Sequence, residues 1–150
     1  MAEIINGIID GNIISESILT KASADCEEFK KTSGKTPCLA LIEIGEDKAN
    51  EVYKNQIIKK SETIGAKVNL IKLDSDINQK NFDEQIIQVN KDDDTHACMV
   101  FQPLPKQLDP SNLSFNLCPY KDIDGTTMTS IAALPLNNGY GFAPCTAQAY

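Results

Sequence analysis

The sequence predicts an α/β fold: a three-layer open parallel sheet with helices on both faces. Three observations predict it. Helix-like and strand-like segments alternate along the chain. Successive strand-length runs are separated by helix-length segments, so each pair of strands needs a crossover rather than a hairpin, and parallel pairing follows. The third strand-like run stops at the proline-bracketed segment Gln102-Pro103-Leu104-Pro105, and an Asp-x-Asp-Gly turn (Asp122 to Gly125) comes later. Strand ends followed by polar loops are where open α/β sheets build their pockets.

From about Asn12 to Thr32, Ile14, Ile18, Ala22, Cys26 and Phe29 fall at helical spacing, and Ser33 to Pro37 breaks the pattern. Cys38 to Ile44 is a short apolar run of strand length, closed by Gly45. Asp47 or Asn50 is a candidate cap for a helix running to Ile64, which Gly65 ends. Val68 to Leu73 alternates as a strand does. Asn78 can cap a helix through about Val89, and Lys91 to Asp94 is a polar turn. Ala97 to Phe101 is the third strand, and a short helix is expected from about Pro110 to Cys118. After Asp124 the pattern becomes less regular, and Pro144 to Tyr150 reads as a first helical turn.

Composition narrows the function. With 150 residues the chain is the size of one ordinary domain. A domain of that size buries roughly 70% of the surface its unfolded chain exposes. Hydrophobic content of 41% and charged content of 23% are those of a water-soluble globular protein. No apolar run has membrane-spanning length. Glu3, Asp10 and Glu16 interrupt the apolar residues near the start, which argues against a secretory signal. The five cysteines (Cys26, Cys38, Cys98, Cys118 and Cys145) are odd in number and form no C-x-x-C pair. A reducing, cytoplasmic setting is expected from them. A single histidine, His96, leaves no metal-ligand cluster, so no metal is expected. A net charge of −7 disfavours nucleic acid as a partner.

Several motifs are missing. There is no phosphate-binding P-loop and no G-x-S-x-G elbow. Gly139-Tyr140-Gly141 leads into Phe142-Ala143-Pro144, which is not a dinucleotide turn. The Asp122 turn is not a calcium loop, because its glycine comes too early and Ala133 stands where the bidentate glutamate belongs.

An ordered set of segments resembles the catalytic N-terminal domain of the methylenetetrahydrofolate dehydrogenase/methenyltetrahydrofolate cyclohydrolase family. Ile8-Ile9-Asp10-Gly11 is similar to its first strand and turn, the Pro37 to Gly45 segment to its second, and the helix bearing Tyr53 follows as in the family. Val100 to Pro105 is similar to its Val-Gln-Leu-Pro-Leu-Pro signature, Lys121 to Gly125 to Lys-Asp-Val-Asp-Gly, and Pro144-Cys145-Thr146 to Pro-Cys-Thr-Pro. The resemblance implies a folate-side lobe acting in one-carbon metabolism. The family oxidises 5,10-methylenetetrahydrofolate to the methenyl cation and hydrolyses that cation to 10-formyltetrahydrofolate. It implies NADP or NAD as cofactor, held mainly by a Rossmann domain absent from these residues, so residues 1–150 are expected to form one domain. A reduced folate is the implied partner, and a homodimer is possible on the same grounds.

Residue by residue, the resemblance places Tyr53 in the site, with Asp124 against the pterin and Gln102 and Pro103 beside the substrate. A carboxylate suits the pterin's amino and ring N–H edge because it accepts two parallel hydrogen bonds. Asp122 is expected to serve the turn. The family's catalytic lysine falls on Ile57, which can neither carry charge nor transfer a proton, and Lys54, Lys59 and Lys60 read as offset around the helix. The signature glutamine falls on Phe101. Gln102 is one place on, and successive side chains of a strand face opposite sides. Thr126-Thr127-Met128 stands where the family has Phe-His-Pro, and Ala147 and Ala149 replace a proline and a glycine. Hydrolysis of the methenyl cation is therefore expected near background. The alternative is a catalytically diverged folate-binding or regulatory paralogue.

Overall fold

The computed structural model describes residues 4–5, 8–46, 48–136 and 141–145, the side chains of 4–9, 48 and 49 aside. β1 (Ile4–Ile5) pairs antiparallel with β2 (Ile8–Ile9). The main sheet contains β3 (Cys38–Ile44), β4 (Lys67–Leu73) and β5 (Ala97–Val100), all parallel, in the order β4-β3-β5. Leu41 in the centre lies opposite Leu70 on one side and Met99 on the other.

That order sets the layers. The chain moves from β3 to one edge and then crosses to the other. Crossovers of one hand that run in opposite directions put their helices on opposite faces. The first crossover carries α2 (Lys48–Thr63), and α1 (Gly11–Ser33) packs beside it. The second carries α3 (Gln79–Lys91), with α4 (Pro110–Asn116) against it. Strand alternation divides the core accordingly. Ala40, Ile42, Cys98 and Val100 point toward α3 and α4 and bury Phe82, Ile86, Val89, Leu113 and Leu117. Leu39 and Met99 point the other way, toward α1 and α2. The reversal of direction between β3 and β5 is a topological switch point, where open α/β sheets bind ligands.

The helix ends follow ordinary capping chemistry. Asp10 accepts from the Asn12 amide at 2.9 Å, Asn78 from Asn81 at 2.9 Å, and Asp109 from Ser111 at 2.8 Å. Gly34 closes α1 in the left-handed conformation.

Three expectations change. Ile18 does not belong to the inward stripe of α1: it is 62% exposed, and Leu19 beside it faces the α2 side of the sheet. Asn50 lies inside α2 rather than at its cap, while Asp47 lies outside the described residues. The chain after Asp124 is not irregular, because α5 (Met128–Leu136) follows the turn. Its start was legible: the Thr127 hydroxyl accepts from the Ser130 amide at 3.1 Å, as an N-cap does. Pro135 near the end of α5 masked the helical pattern. Of the expected turn at 144–150, Cys145 is helical and 146–150 lie outside the described residues.

Candidate functional site

A depression of about 380 Å³ runs along α2 on the α1 side of the sheet. Tyr53, Ile57, Lys60 and Ile64 of α2 line one wall, Leu39 and Met99 form part of its floor, and Ile123, Asp124 and Cys145 stand opposite. Positions 53, 57, 60 and 64 fall on one stripe of a helix, at spacings of four, three and four. Of the residues placed in the site from sequence, Tyr53, Ile57 and Asp124 therefore come together here.

The 122–125 turn is held by a buried polar network. Asp122 is fully buried. Its Oδ1 accepts from the Thr126 amide (3.0 Å) and hydroxyl (3.1 Å), and its Oδ2 from the Thr127 amide (2.8 Å) and the Ser130 hydroxyl (2.8 Å). Burial alone would raise the Asp122 pKa. The amides of Thr127 and Thr126 and the hydroxyls of Ser130 and Thr127 outweigh it, and the carboxyl is held below its ordinary value. Thr126 and Thr127, which replace other residues of the resembled motif, thus supply the donors that close the turn.

Further contacts fix where the turn begins and what passes over it. Lys121 donates to the carbonyls of Val89, Asn90 and Asp92 (2.8, 3.0 and 2.7 Å), tying the turn to the C-terminal end of α3. Cys98 pairs with Asp122 in a parallel bridge beside β5. Gly125 has φ +68°, and a Cβ there would stand 2.7 Å from the Phe142 carbonyl oxygen and 2.8 Å from the Pro144 nitrogen. The glycine lets 142–144 cross closely, and this brings Cys145 to the depression, its thiol 3.6 Å from the Ile123 carbonyl.

Asp124 behaves oppositely to Asp122. Burial and then the neighbouring Asp122 charge push its pKa up. A carboxylate in that position gains from any ligand that offers N–H donors. Across the depression, burial, then Asp124 and Cys145, raise the Tyr53 pKa, so its phenol remains a neutral donor. The Cys98 thiol, buried behind the turn, is pushed up to about 12 by desolvation and is chemically quiet.

The end of β5 is built differently. Phe101 is buried and meets Tyr53 edge to face, ring centroids 6.1 Å apart at 76°. Its amide donates to the Ile42 carbonyl at 3.0 Å, continuing the β3–β5 ladder one residue past the strand. The chain then passes through a cis Gln102–Pro103 bond. Gln102 lines a second depression, beside Phe115, Thr126 and Met128, and Pro103 is exposed. The structure does not bring Gln102 to the Tyr53–Asp124 depression.

Two lysines of α2 depart from the sequence reading. Lys54 turns to the sheet and makes a two-pronged ion pair with Glu43, at 2.7 and 2.9 Å, the side chains 12% and 5% exposed. Lys60 is not offset from the site, because it shares the Tyr53–Ile57 stripe and lines the same depression. The spacing of 53, 57, 60 and 64 could have located it. His96 is structural: its Nδ1 accepts from the Cys38 amide and its ring meets Phe29 edge-on. Among the described residues no group of His, Cys, Asp and Glu could hold a metal, and no helix is long and apolar enough to cross a membrane.

The model of the tetrahydrofolate dehydrogenase/cyclohydrolase catalytic domain matches residues 9–124. The chain belongs to that family. It is 31% identical over 139 residues to the bifunctional protein FolD 1 of Acinetobacter baylyi, covering 93% of this chain and 46% of that relative. The crystal structure of the bifunctional FolD of Campylobacter jejuni superposes with a TM-score of 0.86 at 29% identity, over 93% of this chain and 49% of that one. The NAD-dependent 5,10-methylenetetrahydrofolate dehydrogenase of Saccharomyces cerevisiae superposes with a TM-score of 0.76 at 26% identity, over 91% and 45%. The methylenetetrahydrofolate dehydrogenase-cyclohydrolase of Trypanosoma brucei, solved with NADP and an inhibitor, is 24% identical and shares the fold at a TM-score of 0.85. This chain spans about half the length of the relatives it matches.

Proposed function

We propose that this domain binds a reduced folate between Tyr53 and Asp124 and does not hydrolyse the methenyl cation at a useful rate. The observation that carries this reading is the lining of one depression by Tyr53, Asp124 and Ile57 together. The first two can recognise a pterin. Asp124 accepts from its donor edge, and Tyr53, propped by Phe101, offers an aromatic face and a neutral hydroxyl. Ile57 sits where a proton carrier is needed, and losing such a group typically removes about 10²–10⁴ in rate. Gln102 and Pro103 are assigned here as rim residues, and Gln102 reaches the ligand only if the strand end shifts.

The described residues do not suit a nicotinamide dinucleotide. The turn after β3 continues into Glu46, and Glu51 lies in the first turn of α2, so pyrophosphate would meet negative charge there. NADP or NAD would have to be held by a separate lobe, and hydride transfer would depend chiefly on orienting two bound partners. A homodimer and a cytoplasmic setting stand as proposals on family grounds.

Calorimetric titration with 5-formyltetrahydrofolate tests the reading. Micromolar binding that disappears in Asp124→Asn is expected. Binding by wild type and variant alike, or by neither at millimolar ligand, would overturn it.

A further inference from the structure

Resting on that reading, we infer that Lys60 is a specificity-determining residue that receives the acidic tail of the ligand whose head Asp124 holds. Three lysines of α2 lie near the position that Ile57 occupies. Lys54, one turn before it, is largely buried and is neutralised by both oxygens of Glu43. Lys59 does not line the depression. Lys60, one turn after Ile57, does, and among the described lining residues it is the cation while Asp124 is the carboxylate. Its described contact is a long hydrogen bond, Nζ to the Ser15 hydroxyl at 3.4 Å, which a carboxylate can displace.

The two charges are set apart along the depression. Asp124 faces Tyr53, and Lys60 lies seven residues further along α2, about 10 Å at the helical rise. Ile57, Met99, Leu39 and Ile64 lie along the depression with them. The lining therefore reads as acceptor, apolar stretch, cation. A molecule with N–H donors at one end, an aromatic middle and carboxylates at the other is complementary to it. A pterin joined through an aminobenzoyl group to glutamate has that order. A lysine at position 57 would sit within the middle of the series. At position 60 it serves charge recognition at the end, where no proton has to be moved.

The test compares two ligands on wild type, Lys60→Met, Lys60→Arg and Asp124→Asn: 5-formyltetrahydrofolate, and 6-methyltetrahydropterin, which has the head without the acidic tail. Lys60→Met should weaken 5-formyltetrahydrofolate by about three- to five-fold, the range of a partly exposed ion pair, and leave the tetrahydropterin unchanged. Lys60→Arg should restore the loss. Salt should weaken folate binding in wild type and do so less in Lys60→Met. Equal effects of Lys60→Met on both ligands, or no effect on either, would overturn the role of Lys60 while leaving folate binding intact. Failure of wild type to bind either ligand, or indifference to Asp124→Asn, would overturn the folate reading and this inference with it.

Discussion

The two walls of the depression are held in opposite ways. The wall from Lys121 to Ser130 is a buried polar network in which one carboxylate accepts four hydrogen bonds. The wall from α2 and the end of β5 is held by apolar packing, one aromatic contact and one ion pair. A network of that kind fails if any member is lost, because the remaining donors are left buried without partners. An apolar wall tolerates exchange of one hydrophobic side chain for another of similar size. Ile57 and Phe101, which the resemblance sets in the places of the family's lysine and glutamine, belong to this apolar packing. In the first wall, Thr126 and Thr127 differ from the motif and still supply the donors Asp122 needs.

The same contrast appears within one turn. Asp122 spends its charge on the fold, and Asp124 keeps its charge for the depression. The largest effect should come from breaking the network. Asp122→Ala strands buried donors and should cost about 3 kcal/mol or more in denaturant unfolding. An unchanged midpoint would mean that the turn does not depend on this carboxylate.

Next comes the ion pair of the second wall. Lys54→Met leaves Glu43 charged and nearly buried, with an expected loss of about 3 kcal/mol, whereas Glu43→Leu combined with Lys54→Met should recover most of it. If the double variant is as unstable as the single one, packing rather than charge pairing holds α2 to the sheet.

A smaller effect separates the two aspartates by pH. The folded Asp122 pKa lies below the unfolded value of about 3.9, so its contribution is full above that value and fades as pH falls through the folded pKa. Asp122→Asn should therefore flatten the acid limb of the stability curve. Asp124 has a raised folded pKa, so its ionisation opposes folding at neutral pH, and this opposition is absent below the unfolded pKa. Asp124→Asn should leave stability at pH 7 unchanged or slightly higher, although it is expected to abolish folate binding. Thermal unfolding followed from pH 7 down to about pH 2 checks both signs, and parallel behaviour of the two variants would erase the distinction.

Much of the fold was legible because periodicity is local. The strands at 38–44, 67–73 and 97–100 and the helices between them follow from spacing and caps. α5 was missed because Pro135 interrupts a pattern that begins at a threonine cap. Ile18 was misplaced because an apolar residue at helical spacing need not be the one that packs, and Leu19 took that role. Asp124 and Tyr53, which line the depression, can be named from motifs. The buried pairing of Lys54 with Glu43 joins residues eleven apart across a strand end and a helix, and no local pattern records it. Lys60 is readable in principle from the stripe, but judged by its distance from position 57 alone it reads as offset around the helix.

The absorbance of methenyltetrahydrofolate, followed with wild-type protein and with Asp124→Asn, tests most directly the idea that binding has outlived hydrolysis. Both should decay at the buffer rate under conditions where calorimetry shows the wild type to be saturated. Decay well above buffer with wild type, lost in Asp124→Asn, would show that the depression hydrolyses its ligand without a lysine at position 57.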